Sequence, residues 1–326
     1  MKTNIVFLNE KPGATDLVGR LLTDLERDER VKVYFSYTPL KSNILKAIRR
    51  VHFSHKINSK IRLPFKRIWG CVLDKLDWYD DRTNYLLMFN GTLDYLDFGY
   101  LDKLRKKHHI KIVMILVDAF LASICKNMRT FSKKYGFDYI YTFDPKDEET
   151  YGFMFHTIPY STFEELRGTE IQYDFGFVGS NKGRISMINS ILESANDAHV
   201  SFRARLVHVK SNDRLSFPNI VYNTAVDYKQ TVFEELQCNC LLDVLSEGQS
   251  GATLRYYEAV VYNRKLLTNN TDVKDLPFYD PDYIHIFAKP EDIDWEWVKA
   301  RTPVDFHYDG RFSPSCLIDE ILQLEK

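Results

Sequence analysis

Three things are scarce in this chain of 326 residues, and each scarcity closes off a class of protein. Cysteine is the first. Cys71, Cys125, Cys238, Cys240 and Cys316 make five, an odd number, and no spacing among them suits a disulfide framework or a zinc site. That usage is expected of a reducing compartment, the cytoplasm. The one close pair, CNC at 238–240, falls at period two inside an apolar run and reads as core strand. Long apolar runs are the second scarcity. None approaches ~18 residues, so neither a spanning helix nor a signal peptide is expected. Net charge is the third, and a formal value of −1 excludes a globally basic nucleic-acid binder.

What is present points to a folded chain. Hydrophobic residues reach 44% and charged residues 27%, and the length suits two domains better than one small core. Aromatics reach 14%, most of them expected in the core, although exposed rings also stack on sugars.

Short apolar runs alternate with amphipathic stretches, the pattern of parallel α/β layers. In the first half, NIVFL (4–8), KVYFS (32–36), YLLMF (85–89), KIVMILV (111–117) and YIYTF (139–143) read as strands. Asp16 to Arg27 and Phe98 to Lys107 read as helices. The pattern restarts with FGFVG (175–179), a helix from about Arg184, RARLVHV (203–209) and NIVYN (219–223). A helix over 226–237, a strand over 240–246, a further helix and KLLTN (265–269) follow. The polar stretch at 160–172 marks the join. Rossmann-like domains are therefore expected over 1–165 and over 170–310. A helix over 313–326, opened by Ser313 and Pro314, carries one apolar stripe and must dock back on the body.

Two stretches of the second half suit a nucleotide diphosphate. In open α/β sheets, ligands sit beyond the carboxyl ends of the strands. FVGSNKGR (177–184) ends a strand with glycines for a tight turn, while Ser180, Lys182 and Arg184 supply donors. The same letters also describe a plain solvated turn. SEGQSGATLRYYE (246–258) opens a helix near Ala252. There Gly251 permits close approach, and the first amides, of Ala252, Thr253 and Leu254, face outward. Arg255 opposes the helix dipole unless an anion is present, and Glu258 lies on the same face for the ribose hydroxyls. The plainer alternative is an i, i+3 surface pair of Arg255 and Glu258, with Ser250 as an N-cap only.

These stretches resemble the donor-binding domain of GT-B glycosyltransferases, above all the bacterial enzymes of capsule, exopolysaccharide and lipopolysaccharide assembly. The resemblance rests on YDFGFVGSNKGR (173–184), on 226–270 and on FYDPDYIHIF (278–287). It implies an α/β protein of GT-B type, two Rossmann-like doubly wound domains facing across a cleft, with a C-terminal helix. It implies that Glu258 holds the ribose and that Ser250, Gly251 and Thr253 hold the diphosphate. The chain departs from the family in having ten residues between Glu247 and Glu258 where many retaining members have seven. Inverting and retaining outcomes both stay open, and Glu247 becomes a sugar contact at most. Asn263 stands where the family usually has glycine, and it too can take the left-handed C-cap.

The expected activity is transfer of a sugar from a nucleotide diphosphate, a UDP-sugar first, to a lipid-linked or growing saccharide. Lys182, Arg184 and Arg255 would carry the leaving diphosphate without a metal, since Asp280 and Asp282 stand beside a proline in an apparent loop. No cofactor is expected to stay bound. Glu10, Asp16 and Asp118 are the candidate bases in the first domain; Asp16 and Asp118 read equally well as helix caps. His109 and His156 are weaker candidates.

The segment 41–70 holds nine Lys/Arg and no Asp or Glu, leaving the rest of the chain at about −10. Ile44, Leu45, Ile48 and Val51 form an apolar stripe within it, as on helices that lie on anionic lipid. A solvated helix or a nucleic-acid patch would look similar. A cytoplasmic protein peripheral on the inner face of the plasma membrane is the resulting expectation. An epimerase of the same fold and a non-catalytic carbohydrate-binding or assembly protein are the rival readings.

Overall fold

The computed structural model describes residues 3–9, 23–35, 40–245 and 251–324. By its packing the chain divides into two compact units, Met1–Ser161 with Phe312–Lys326, and Thr162–Arg311.

The first unit runs β1 (Thr3–Asn9), β2 (Val31–Phe35), α1 (Asn43–His52), α2 (His55–Asn58), β3 (Thr83–Phe89) and α3 (Phe98–Lys107). It continues through β4 (Ile110–Ile115), α4 (Lys126–Tyr135), β5 (Tyr139–Thr142), α5 (Pro145–Tyr151) and β6 (Met154–Phe155). The strands form one parallel sheet in the order β2-β1-β3-β4-β5-β6. Apolar runs such as Tyr85–Phe89 are buried on both faces, as a parallel sheet covered by helices requires. One face packs on α3 and α4 through Leu101, Leu104, Met128 and Phe131. The other receives the last helix of the chain.

The second unit holds β7 (Tyr173–Ser180), α6 (Ile185–Asp197), β8 (Phe202–Val207), β9 (Ile220–Tyr222), α7 (Tyr228–Leu236) and β10 (Cys238–Asp243). After these come α8 (Leu254–Tyr262), β11 (Lys265–Thr268), β12 (Ile284–Ile286) and α9 (Trp295–Lys299). Its six strands are again parallel, in the order β12-β11-β10-β7-β8-β9. Numbered within the unit this is the doubly wound order 6-5-4-1-2-3. Cys238 and Cys240 lie buried in β10, and burial pushes the Cys238 thiol up to about 12.

The final helix, α10 (Pro314–Gln323), is capped by Ser313, whose hydroxyl accepts from the Ser315 amide, with Pro314 in its first turn. Leu317, Ile318 and Ile321 sit in the first unit's core against Ile5, Phe7 and Leu87. Each such side chain is worth roughly 1.5–3 kcal/mol of burial.

Element edges differ from the sequence reading where loops begin. β10 stops at Asp243 rather than running to 246, and β8 stops at Val207. Of the helix expected over 16–27, residues 16–22 lie outside the described residues, and Thr23–Glu26 is a single 3-10 turn. The strands β6 and β12 are short additions at the sheet edges, too short for a periodicity to register.

Candidate nucleotide site

In the second sheet β7 and β10 are neighbours, yet β7 leads on to β8 at one side and β10 to β11 at the other. The diverging connections open a crevice beyond the carboxyl ends of these two strands, the place where a doubly wound sheet takes its ligand. Both sequence stretches singled out above fall here.

The first is the turn after β7. The Arg184 amide donates to Asn181 O at 3.0 Å, and Lys182 and Gly183 both have positive φ, 43° and 84°. Gly183 supplies the freedom expected of it. Gly179 has a different role: a Cβ there would lie 3.0 Å from the Arg255 guanidinium and 3.2 Å from the Phe177 ring. It is a glycine for close approach. The Ser180 hydroxyl is 3.1 Å from His208 Nδ1, and Lys182 is exposed.

Arg184 and Arg255 converge at the crevice. Their guanidinium groups stand 5.1 and 4.5 Å from the centroid of the same ring, that of Phe177. Both turn donors toward strand-end carbonyls, Arg184 to Ser180 O and Val244 O, and Arg255 to Val178 O. Each ring contact is worth about 0.5–2 kcal/mol, but the two cations repel each other. Burial, and then the neighbouring Arg255, pull Arg184 down to about 10. Burial also opposes the charge on Arg255, yet Glu235, Asp243 and Glu258 outweigh it and hold its pKa up. Two half-buried cations side by side form a ready seat for an anion.

The second stretch starts later than its letters suggest. α8 begins at Leu254 with Thr253 as N-cap, so the open amides belong to Leu254 and Arg255 rather than to Ala252 and Thr253. The Thr253 hydroxyl does not cap its own helix; it is buried and without a hydrogen-bond partner among the described residues. Gly251 has φ +77° and Ala252 is buried. A polar relay fixes this entry. Asp243 accepts from the Thr268 hydroxyl at 2.9 Å, that hydroxyl accepts from the Asn270 amide at 3.0 Å, and the Asn270 side chain donates to Gly251 O at 2.9 Å. Asn269 takes the Leu245 amide at 2.7 Å. The helix ends as expected on Asn263, which is left-handed at φ 53°.

Glu258 is brought to the same region but faces inward. It is buried and accepts from the Tyr228 hydroxyl at 2.6 Å. Arg255 does not form a surface pair with it. Instead Arg255 Nε lies 3.0 Å from the buried Glu235. Burial, and then the adjacent Glu258, raise the Glu235 carboxyl well above the ordinary carboxylate range. Phe177, Tyr228, Glu235 and Asp243 were not singled out from the sequence. Asp243 had a signal, as a lone acid ending an apolar strand. Glu235 had none beyond being the second acid of FEEL at a helix end.

Beside this cluster, a small pocket opens at the ends of β7 and β8, lined by Val178, Gly179, Ser180, Val207, Val226 and Thr231 among others. Asp118 belongs to the first unit, beyond β4, where its carbonyl accepts from the Cys125 thiol at 3.8 Å. It caps no helix: the N-cap of α4 is Cys125. His156 is buried against Thr157 O, as a structural histidine is. Glu10, Asp16, Glu247 and Ser250 lie outside the described residues.

No protein-family model and no curated protein matches the chain. Solved structures do. The catalytic domain of starch synthase IV from Arabidopsis thaliana, bound to ADP and acarbose, is similar over 99% of this chain and 99% of its own at 9% identity, with a TM-score of 0.61. Alr3699/HepE of Anabaena, in complex with UDP and glucose, is similar over 99% of both chains at 11% identity and a TM-score of 0.54. A Listeria monocytogenes protein described as a UDP-N-acetylglucosamine 2-epimerase is similar over 97% of this chain and 95% of its own, at 9% identity and a TM-score of 0.50. Identities this low speak to architecture alone, and the architecture is plain: the chain has two Rossmann-like domains of the GT-B fold.

Proposed function

We propose that this protein is a glycosyltransferase that binds a nucleotide diphosphate sugar, with UDP as the nucleotide, in the crevice between β7 and β10. The observation that carries the reading is the pairing of Arg184 and Arg255 over Phe177, next to the amino end of α8 and the unpartnered Thr253 hydroxyl. A diphosphate placed there meets two guanidinium groups and the Leu254 and Arg255 amides, with exposed Lys182 at the rim. As the bond to the sugar breaks, charge grows on the departing phosphate, and fixed donors favour that state over the substrate. These cations are assigned the work a metal would otherwise do, so a chelator is expected to leave activity intact. Glu258 takes the ribose on exchanging its bond to Tyr228, and Ser250 and Glu247 complete the diphosphate and sugar contacts. An acidic residue of the first domain, Asp118, Glu10 or Asp16, acts as base for the acceptor hydroxyl.

The acceptor in this reading is a lipid-linked or growing saccharide of bacterial surface polysaccharide assembly, such as capsule or lipopolysaccharide, met at the cytoplasmic face of the membrane. No helix among the described residues is long and apolar enough to cross a bilayer, so contact would be peripheral, through 41–70. Calorimetry with UDP and UDP-sugars tests the site. Binding that survives both Arg255→Ala and Glu258→Ala unchanged would place the nucleotide elsewhere.

An epimerase is the second reading, favoured by the similarity to the Listeria monocytogenes protein. It predicts conversion of the nucleotide sugar with no acceptor present, which a product assay separates from transfer.

A further inference from the structure

The helix α1 has no buried residue at all. Among the described residues ten large apolar side chains are exposed, and seven of them lie between positions 44 and 68. The concentration in one segment sets it apart from scattered exposure. At helical spacing Ile44, Ile48 and Val51 share one side of α1, with Leu45 beside them, and Lys46 and Arg50 point the other way. Phe65 is 72% exposed and holds φ 63°, a backbone region that a bulky side chain occupies only under strain. An open apolar groove lies between α1 and the loop at 63–65, and its lining is Ile48, Val51, His52, Leu63, Pro64 and Phe65.

The base of this element is fixed. His52 Nδ1 faces the Trp69 indole N–H at 2.7 Å, and its Nε2 faces Pro64 O at 2.7 Å. Lys66 is fully buried, and its ammonium donates to His52 O and Asn58 Oδ1, both at 2.9 Å. An apolar groove mounted on so polar a foundation is a built feature, not a frayed edge.

We infer that this groove takes one hydrocarbon chain of an anionic bilayer lipid, while α1 lies among the headgroups with Ile44 and Ile48 inserted. This deepens the lipid-acceptor reading above and rests on it. Charge selects the occupant. Nine Lys/Arg and no acid between 41 and 73 match an anionic surface. A second copy of the chain would set the same cations face to face. An acidic helix lying in the groove would leave Ile61 and Ile68, 71% and 69% exposed and outside its lining, still in water. A bilayer surface reaches apolar side chains beyond the groove as well.

Sedimentation of the full chain tests this, with vesicles of phosphatidylcholine carrying about a third phosphatidylglycerol, against phosphatidylcholine alone. Binding is expected on the anionic vesicles, weakened about tenfold or more by Ile48→Ser or Phe65→Ser. Both side chains are exposed, so an unchanged melting temperature confirms that the variants fold. Lysophosphatidylglycerol as monomers probes the groove: saturable binding is expected, lost in Leu63→Trp and kept in Ile44→Ser. Vesicle binding indifferent to Ile48→Ser and Phe65→Ser, no saturable lysolipid binding, or an effect of these variants on self-association instead, each overturns the inference. UDP calorimetry on the same variants separates the two readings, because docking without nucleotide binding would sink the donor site alone.

Discussion

Arg255 and Glu235 stand 3.0 Å apart at the carboxyl end of β7, with the glutamate 1% exposed. This pair explains how a cation survives in the first turn of α8, where the helix dipole disfavours it. From the sequence, that compensation falls to a ligand or, in the plainer reading, to Glu258. In the fold, a carboxyl from the end of α7 already faces the guanidinium, and Glu258 lies next to that carboxyl.

The arrangement makes stability pH-dependent. The Glu235 carboxyl is raised above its ordinary 4.5 by burial and by Glu258. A carboxyl raised in the folded state contributes stability that is complete below about 4.5 and is lost as pH climbs through the folded value. Denaturant midpoints are therefore expected to fall as pH rises above about 4.5, and Glu235→Gln, which mimics the protonated form, should flatten that slope. An equal slope in wild type and variant would remove Glu235 as its source.

Two glycines of β7 should separate fold from ligand binding. At Gly176 an added Cβ meets the Arg203 carbonyl at 2.9 Å, and backbone cannot step aside. Gly176→Ala should destabilise by about 1–3 kcal/mol. At Gly179 the nearest atom is the end of the Arg255 side chain, 3.0 Å away, which can move. Gly179→Ala should cost less stability but displace Arg255, so calorimetry should show weaker UDP binding in a protein that melts near the wild-type temperature.

How much of this was legible depends on the kind of interaction. Parallel strands buried on both faces are continuous apolar words, and YLLMF or FGFVG announces itself by composition. The turn with Gly183 and the left-handed Asn263 are local backbone facts, so they too could be read. Glu235 could not. Its meaning depends on Arg255, twenty positions on, and on Phe177, fifty-eight back, which only the sheet order brings together. The start of α8 slipped for a local reason: Thr253 and Ser250 are both good caps, and letters alone do not choose between them.

Charge and geometry at the crevice can be told apart by conservative change. A guanidinium donates in a planar fork that an ammonium cannot copy. Arg184→Lys and Arg255→Lys keep the charge, yet each should weaken UDP binding about tenfold, the loss of one charge-assisted hydrogen bond. Arg255→Lys should also lower stability, because the Glu235 carboxyl loses its partner. Arg184, paired with no carboxylate among the described residues, should affect binding more than melting. Equal melting losses in both variants would argue against this division of labour.

Lys66 offers the opposite pH signature in the other unit. The side chain is 0% exposed, and burial, with Arg62 nearby, brings its pKa down from 10.5 to about 8. A base depressed on folding contributes stability that is complete above about 10.5 and is lost as pH falls through about 8. The window spans a shift worth on the order of 3 kcal/mol. Stability should therefore rise between pH 8 and 10.5 through this group, against any general loss at alkaline pH. Lys66→Met, close in volume and without charge, should remove that rise in urea titrations. The variant forfeits the bonds to His52 O and Asn58 Oδ1, so its stability at the top of the window should lie below wild type. If the rise persists in Lys66→Met, some other group carries it, and the amine is neutral or charged in both states alike.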